Sequence, residues 1–325
     1  MRRRTLLRVA GTACMPAIAS SPAWAQARPA RIGYISFRPE PNEFDAALQR
    51  GLRERGWVEG QSLNIDFRWA AFDSQRVAAM VAELLALRPT LMVVADGSGA
   101  LRMIRTANPA MPIVVPAFSD PIVQGTTTSL ARPDGNATGI SVFATELAAK
   151  RLELLKEAVP GLKRVAALYN AAAPAANGVA VSLNAGRELG LDVVEMPVRL
   201  PEGIDAAFAT AARQGVQGVA MISSTATITH RLLLGERAQA HRLATIFSNR
   251  AYLKGGGLMS YGPDVEAAFH RSAYFIDRIL KGATPADLPI EQTSTFQLVL
   301  NQRTARALGL RFAQSLLLRA DELIE

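Results

Sequence analysis

The stretch VVADGSGALRMI, residues 93–104, joins a predicted strand to a predicted helix through small residues. A dinucleotide-binding turn needs Gly-x-Gly-x-x-Gly, whose third glycine lets the helix pack closely on the strand. Gly97 and Gly99 fit this pattern, but Arg102 occupies the third position. No acidic residue ends a strand about 20 residues later, as a ribose contact would require, and no P-loop spacing follows. The sequence therefore argues against a nucleotide site, and we expect no cofactor.

Residues that could support catalysis are few. The histidines, His230, His241 and His270, fall in predicted helices and form neither a His-Glu-x-x-His pair nor a Cys/His set. We therefore expect them at solvated helix positions rather than in a metal site. The GSG at 97–99 lacks the Gly-x-Ser-x-Gly frame of a nucleophile elbow. These observations predict a protein that is not an enzyme.

Small polar residues instead collect where predicted strands end. In open α/β sheets, ligands bind beyond the carboxyl ends of the strands, where loops and helix N-termini offer free N–H groups. The candidate binding residues at or beside these ends are Ser36, Phe37, Asp96, Gly97, Ser98, Phe118, Asp120, Tyr169, Asn170, Ser223, Ser224, Ser248 and Asn249. Each polar one is equally typical of a turn or helix cap, but together they predict a cleft for a small polar ligand.

Three kinds of side chain could share the contacts to such a ligand. A carboxylate binds an amino group, and the candidates are Asp96 and Asp120. Hydroxyls and backbone N–H groups bind a carboxylate, and the candidates are Ser98, Ser223 and Ser224. Aromatic rings flank an apolar group, and the candidates are Phe37, Phe118 and Tyr169. Helix capping for the aspartates and core packing for the rings remain open alternatives.

The elements that must position these residues alternate between strand and helix. The first predicted array has strands at 31–36, 62–69, 90–95 and 112–118, with helices at 43–57, at 74–87 and after 97. The second has strands at 164–170, 192–198, 218–223 and 244–249, with helices ending at 191 and spanning 204–215 and 229–243. A third segment has strands at 255–262 and 295–301 and helices at 264–282 and 302–310. The repeated order predicts an α/β fold with two similar lobes, each an open parallel sheet covered by helices on both faces.

The N-terminal residues read as an export signal. Arginines at positions 2–4 and 8 precede a short apolar run, and Ala23-Trp24-Ala25 offers small residues for cleavage after Ala25. The run is too short for a membrane span of about 20 residues, and both the Sec and the twin-arginine routes stay open. Removing its four arginines from the 36 Lys and Arg leaves 32 against 28 acidic residues, a net charge of +4. Such a modest charge is poor support for nucleic-acid binding.

Longer motifs resemble those of a known family. They are SLARPDGNATGIS (129–141), GGLMSYGPD (256–264), RILKGATPADLPIEQTSTFQLVLNQRTARALGL (278–310) and SLLLRADELIE (315–325). Together they resemble the ABC-transporter substrate-binding proteins that include tryptophan- and tyrosine-binding members. The resemblance implies a type I periplasmic-binding fold, in which two Rossmann-like lobes with parallel sheets are joined by a three-strand hinge. The sequence differs from the family's usual motifs at two places. It has Tyr169-Asn170-Ala171 where Tyr-Asn-Pro is usual, and Asp134 where glycine is usual.

The resemblance also implies boundaries and a function. The first lobe would comprise 26–142 and 251–288, and the second 143–250 and 289–325. A small polar solute, for which we expect an aromatic or branched amino acid, would be captured between the lobes by hinge closure. The closed form would then dock as a monomer on an ABC permease of the inner membrane, and the chain would reside in the periplasm. Other small carboxylates or nucleoside-like ligands, a sensory receptor and a secreted enzyme on the same scaffold are the alternatives.

Overall fold

The computed structural model describes residues 29–96, 98–122, 125–142, 147–172 and 176–325. The predicted signal at 1–25 and the predicted site residue Gly97 lie outside these ranges. The strands are β1 Ala30–Ser36, β2 Leu63–Trp69, β3 Leu91–Val94, β4 Ile113–Phe118, β5 Ala137–Ser141, β6 Arg164–Asn170, β7 Asp192–Val198, β8 Gly218–Met221, β9 Ala244–Phe247, β10 Met259–Pro263, β11 Glu291–Gln292, β12 Phe296–Asn301 and β13 Glu322–Ile324. The helices are α1 Glu43–Glu54, α2 Ser74–Ala86, α3 Ser98–Ala107, α4 Leu147–Ala158, α5 Ala176–Leu189, α6 Ile204–Arg213, α7 Thr225–Thr229, α8 Arg231–Ala240, α9 Val265–Leu280, α10 Gln302–Leu308 and α11 Gln314–Leu317. Short 3-10 helices span Arg250–Gly255 and Pro285–Asp287.

Within the described ranges the strands form two sheets. The first has the order β11-β5-β4-β3-β1-β2, and its neighbouring strands pair in parallel. The second has the order β13-β12-β10-β9-β8-β6-β7, with an antiparallel pair between β10 and β12. The predicted α/β fold with two Rossmann-like lobes is confirmed.

Alternating side chains give each sheet two buried faces. On β1, Ile32 and Tyr34 pack in the cluster that contains α1 and α9, whereas Ile35 packs on the opposite face with α2 and α3. Successive residues of a strand point to opposite faces, so an uninterrupted apolar strand must be covered by helices on both sides. The second sheet likewise separates two clusters. This layering leaves the carboxyl ends of the central strands open toward the space between the lobes.

Helix α1 shows how the local sequence sets this arrangement. The Asn42 side chain accepts a hydrogen bond from the Phe44 N–H, and the Asp45 side chain accepts one from the Asn42 N–H, which forms a capping box. The apolar face packs on α9 so closely that a Cβ on Gly51 would lie 2.4 Å from the His270 carbonyl oxygen. Glycine is therefore required at this crossing.

Several predicted elements differ in extent. The helix predicted at 229–243 is shorter, since α8 spans Arg231–Ala240. A separate short helix, α7, precedes it and has Ser224 as its N-cap. Helix α2 begins after Asp73, whose side chain accepts the Gln75 N–H as the N-cap. The strand predicted from 255 begins at Met259, after a turn in which Gly256 has a φ of 91°. Strand β5 and helix α4 were not predicted.

The chain crosses between the sheets later than the sequence predicted. Strand β10, within the segment predicted for the first lobe, pairs with β9 and β12 of the second sheet. Strand β11, predicted for the second lobe, pairs with β5 of the first sheet. The chain therefore crosses back to the first lobe between Pro263 and Val265, after β10, and not near residue 250. No helix in the described ranges is long and apolar enough to cross a membrane.

Candidate ligand-binding cleft between the lobes

A cavity of about 280 Å³ lies between the two lobes, at the carboxyl ends of their central strands. Its polar lining comprises Arg38, Asp96, Ser119, Arg151, Ser182, Ser223, Ser224, Thr225, Ser248 and Asn249. Its apolar lining includes Phe44, Ala95, Ala117, Val142, Met221, Ile222, Ile228, Val265 and Phe269. Both lobes contribute to each set, so a molecule in this cavity contacts both lobes at once.

Five residues selected from the sequence line the cavity. Asp96 follows β3, Ser223 and Ser224 follow β8, and Ser248 and Asn249 follow β9. These strands lie near the centre of their sheets, where parallel strands bring their carboxyl ends together. The structure therefore brings these five side chains to one cleft, as the position of strand ends predicts.

Three other candidates lie beneath or beside the cavity. Ser36 is buried under Asp96 and donates a hydrogen bond to its carboxylate at 2.8 Å. Phe118 is buried in the core on the α2 and α3 side of the first sheet, and Phe37 packs against that core, with its ring 5.7 Å from Phe72. The prediction that the two phenylalanines flank the ligand does not match this geometry, because strand alternation turns them toward the core.

The remaining candidates in the described ranges do not line the cavity. The Asp120 side chain accepts the Ile122 N–H at 3.0 Å in a surface loop, and its neighbour Ser119 lines the cavity instead. Tyr169 donates to Glu195 at 2.9 Å, and Asn170 accepts the Ala172 N–H at 3.2 Å. Both are at the end of β6, which lies beside the edge strand β7 rather than at the centre of the sheet. The Ser98 side chain lies outside the described atoms.

Asp96 presents a carboxylate to the cavity from the first lobe. It accepts hydrogen bonds from the Ser36 hydroxyl, the Phe37 N–H and the Arg38 Nε, the last at 3.1 Å. Burial raises the pKa of Asp96 above its ordinary value, while Arg38 and the hydrogen bonds from Phe37 and Ser36 oppose that rise. The carboxylate is thus held in one orientation at the edge of the cleft.

Arg38 was not selected from the sequence, yet its side chain is 4% exposed and lies directly behind Asp96. Its Nη1 and Nη2 donate to the two carboxylate oxygens of Asp45 at 2.9 and 2.8 Å. Its guanidinium carbon lies 5.4 Å from the Trp69 ring centre. Two carboxylates surround one guanidinium, so this group of residues leaves an excess negative charge facing the cavity.

The second lobe supplies a cation. Arg151, on α4, is buried, lines the cavity, and donates from Nε to the Tyr261 carbonyl at 2.7 Å. Burial lowers the pKa of Arg151 to about 10, which leaves the side chain protonated at neutral pH. The position could have been found from the sequence, because Arg151 stands on the apolar face of LAAKRLELLKEA, where a cation requires a partner.

Apolar and hydroxyl surfaces complete the cleft. The Phe44 and Phe269 rings, from α1 and α9, lie 5.5 Å apart and are tilted by 32°. On the second lobe, the Ser223 hydroxyl is hydrogen-bonded to Ser248 and, at 3.1 Å, to Tyr252. The cleft therefore combines an anion, a cation, hydroxyls and an aromatic surface.

The matching family profile is that of ABC transporter substrate binding proteins, which covers residues 40–324. The chain belongs to this family. The tyrosine-binding protein of Clostridioides difficile (strain R20291) is 21% identical over 281 residues, which are 86% of this chain and 80% of that protein. An ABC domain in complex with L-Trp from Streptococcus pneumoniae is 26% identical, with a TM-score of 0.82, covering 91% of this chain and 100% of that one. A conserved domain protein from Vibrio cholerae O1 biovar eltor is 21% identical, with a TM-score of 0.81, covering 90% and 99%.

Contacts across the cleft mouth join the two lobes of this substrate-binding protein. Glu43, at the start of α1, accepts hydrogen bonds from Arg231 at 3.0 Å and Lys254 at 3.3 Å, both from the second lobe. The Phe72 and His230 rings lie 6.1 Å apart on either side of the mouth. These contacts must separate when the lobes move apart.

The histidines occupy the helices and helix ends of this substrate-binding protein. His230 and His241 follow the last residues of α7 and α8, and His270 pairs with Glu54 at 2.8 Å on the surface. In the described part of the chain, no group of three or more His, Cys, Asp or Glu side chains could hold a metal ion.

Proposed function

We propose that this chain is the extracytoplasmic binding component of an ABC importer and that its cleft binds an α-amino acid with an apolar or aromatic side chain. The observation that carries the proposal is the separation of charge between the lobes. The first lobe presents Asp96 with an excess negative charge behind it, and the second presents Arg151.

An α-amino acid carries the complementary pair of charges on adjacent groups. Its ammonium pairs with Asp96, and its carboxylate faces Arg151 and the hydroxyls of Ser223 and Ser248. Charge-assisted hydrogen bonds of this kind are about twice as strong as neutral ones. A simple carboxylate supplies no ammonium for Asp96, and a sugar supplies neither an ammonium nor a carboxylate, so the cleft favours an amino acid over both classes.

The size and lining of the cavity favour an apolar side chain on the ligand. A volume of about 280 Å³ lies just below the roughly 300–1,000 Å³ typical of small-molecule sites, which suits a ligand as small as an amino acid. Phe44, Phe269, Val265 and Ile228 surround the apolar part. The relatives named for tyrosine and L-Trp support an aromatic amino acid.

Uptake follows from closure of the lobes. The ligand favours the closed form because it gains contacts to both lobes only there. The closed chain, exported by the signal at 1–25 and acting as a monomer in the periplasm, then docks on an inner-membrane permease. The sheet pairings support lobes of 29–142 with 265–292 and of 147–263 with 296–325.

The binding proposal is tested by calorimetry and thermal shift on residues 26–325, refolded to remove any bound ligand. The panel contains L-Trp, L-Tyr, L-Phe, L-Leu, glucose, indole-3-propionate, which lacks the amino group, and tryptamine, which lacks the carboxylate. A ligand at a hundred times its Kd adds about 2.7 kcal/mol, which raises the Tm by roughly 2–4 °C per kcal/mol. We expect amino acids to bind at least tenfold more tightly than either truncated analogue. Equal binding of indole-3-propionate and L-Trp, or a shift with glucose alone, would contradict the proposal.

The importer role needs a separate test in cells. Deleting the chain should abolish high-affinity uptake of the radiolabelled amino acid that calorimetry identifies. The wild-type chain should restore uptake, and Asp96→Asn should not. Unchanged uptake in the deletion strain, with binding intact in vitro, would contradict the importer role and leave the ligand assignment standing.

A further inference from the structure

We propose that Arg38, anchored by Asp45, is a positioning residue that holds the Asp96 carboxylate ready for the ligand's ammonium group and so sets the preference for amino acids over other carboxylates. This inference rests on the proposed function. It concerns Arg38, which lines the cavity, and Asp45; neither residue was selected from the sequence.

The anchoring of Arg38 begins with Asp45. Besides the two hydrogen bonds from Arg38, the Asp45 carboxylate accepts the Asn42 N–H at 2.7 Å and the Tyr34 hydroxyl. Asp45 is also part of the capping box of α1, so its position is set by the helix. A carboxylate with this many donors has little freedom to turn, and it fixes the plane of the Arg38 guanidinium.

Arg38 then acts on Asp96 through its remaining edge. Its Nε lies 3.1 Å from the Asp96 carboxylate, which also accepts the Ser36 hydroxyl and the Phe37 N–H. The guanidinium thus links α1 to the residue that follows β3. Its terminal nitrogens are directed to Asp45, so Arg38 serves poorly as an anchor for a ligand carboxylate.

Charge gives this arrangement a second effect. Asp96 faces Arg38 and, beyond it, Asp45 and Tyr34, while Arg151 lines the cavity from the other lobe. Burial raises the pKa of Asp96, and the Arg38 charge is the strongest opposing influence. The ligand ammonium pairs with the ionised carboxylate, so affinity falls as pH drops through the pKa of Asp96. Without Arg38 that pKa rises further, and the loss of affinity moves to higher pH.

The test compares wild type with Arg38→Gln and with the double variant Arg38→Gln/Asp45→Asn. The double variant removes the buried pair together, because a lone Asp45 charge threatens folding. Arg68→Gln, which breaks an exposed pair with Glu83 in the same lobe, is the control. Calorimetry measures the Kd of L-Trp and indole-3-propionate from pH 5 to 8 for each protein that folds.

Two readouts separate positioning from general structural damage. We expect the Kd of indole-3-propionate divided by the Kd of L-Trp, which measures preference for the ammonium, to fall about tenfold in the Arg38 variants. The loss of affinity at acidic pH should move toward neutral pH. Arg38→Lys keeps the positive charge but loses the planar, two-pronged hydrogen bonding of the guanidinium. It should therefore recover the pH dependence of L-Trp binding more fully than the preference for L-Trp over indole-3-propionate. Arg68→Gln should match wild type in both readouts.

Other outcomes would overturn the inference. Parallel weakening of both ligands, with the ratio and pH profile unchanged in the variants, would show that Arg38 only supports the fold. If wild type binds no amino acid, the proposed function fails and this inference fails with it. If wild type prefers L-Trp and the variants keep that preference, this inference alone fails.

Discussion

Glu43 forms an ion pair across the cleft mouth and does not line the cavity. We therefore expect Glu43→Gln to weaken ligand binding although residue 43 does not contact the ligand. Glu43 belongs to the first lobe, and its partners Arg231 and Lys254 belong to the second. Burial acts to raise the pKa of Glu43, but its own backbone N–H, Arg231 and Lys254 outweigh that effect and lower it, so the side chain is ionised at neutral pH. The interaction therefore adds stability to the closed arrangement that the open one lacks.

The size of the effect follows from exposure. The side chains of Glu43 and Arg231 are 20% and 16% exposed, whereas Lys254 is 61% exposed. Exposed pairs contribute roughly 0–1 kcal/mol, and hydrogen bonds to charged groups about 1.5–3 kcal/mol. We assign a stabilising free energy of about 1.4 kcal/mol to the partly buried contact between Glu43 and Arg231, and almost none to the exposed contact with Lys254. Loss of that amount from the closed form raises the apparent Kd about tenfold where the open form dominates without ligand.

Calorimetry with L-Trp at low and high salt measures this change. Glu266→Gln is the matched control, because Glu266 pairs with Arg50 within the first lobe and its loss leaves the mouth intact. Indole-3-propionate should lose less affinity than L-Trp in Glu43→Gln, because a ligand with a single charge gains less from closure. An unchanged Kd, or an equal effect of Glu266→Gln, would refute the role of this pair in closure.

Three further predictions concern the cleft and the core. Asp96→Asn should weaken L-Trp binding by roughly 10–100-fold and remove its decline as pH falls through the raised pKa of Asp96, as calorimetry from pH 5 to 8 would show. Arg151→Gln should weaken L-Trp and indole-3-propionate alike and spare tryptamine; an equal loss for tryptamine would contradict a carboxylate contact. Gly51→Ala should lower the free energy of unfolding in urea by about 1–3 kcal/mol, because its Cβ meets the His270 carbonyl, whereas Gly99→Ala, with open space around it, should not.

The strand-end rule located part of the cleft from sequence because it depends on topology alone. Asp96, Ser223 and Asn249 follow central strands, and any parallel sheet brings such residues together. The same rule does not say whether a side chain turns over the strand end or toward a sheet face, which is why Phe118 packs in the core. Nor does it give the lateral order of strands, which placed Tyr169 beside the edge strand β7.

The charged residues of the cleft were harder to predict for different reasons. Arg151 lies on α4, a helix that was not predicted, so its position on the apolar face of that helix was not recognised. Arg38 and Asp45 are seven residues apart, and the aspartate also fits a helix cap. A capping residue and a buried ion-pair partner have the same sequence pattern, and only the packing of α1 on the sheet shows that Asp45 is both.

The division of charge between the lobes makes recognition and closure a single event. A ligand shifts a conformational equilibrium only by the difference in its affinity for the two states. In the open form, a molecule bound to the first lobe contacts Asp96 but not Arg151, because Arg151 belongs to the second lobe and is too far away. A ligand with one charge then binds either lobe alone about as well as it binds both, and leaves the equilibrium where it was. A zwitterion gains its second ion pair only on closure, so the proposed ligand closes the cleft only when both of its charges are bound.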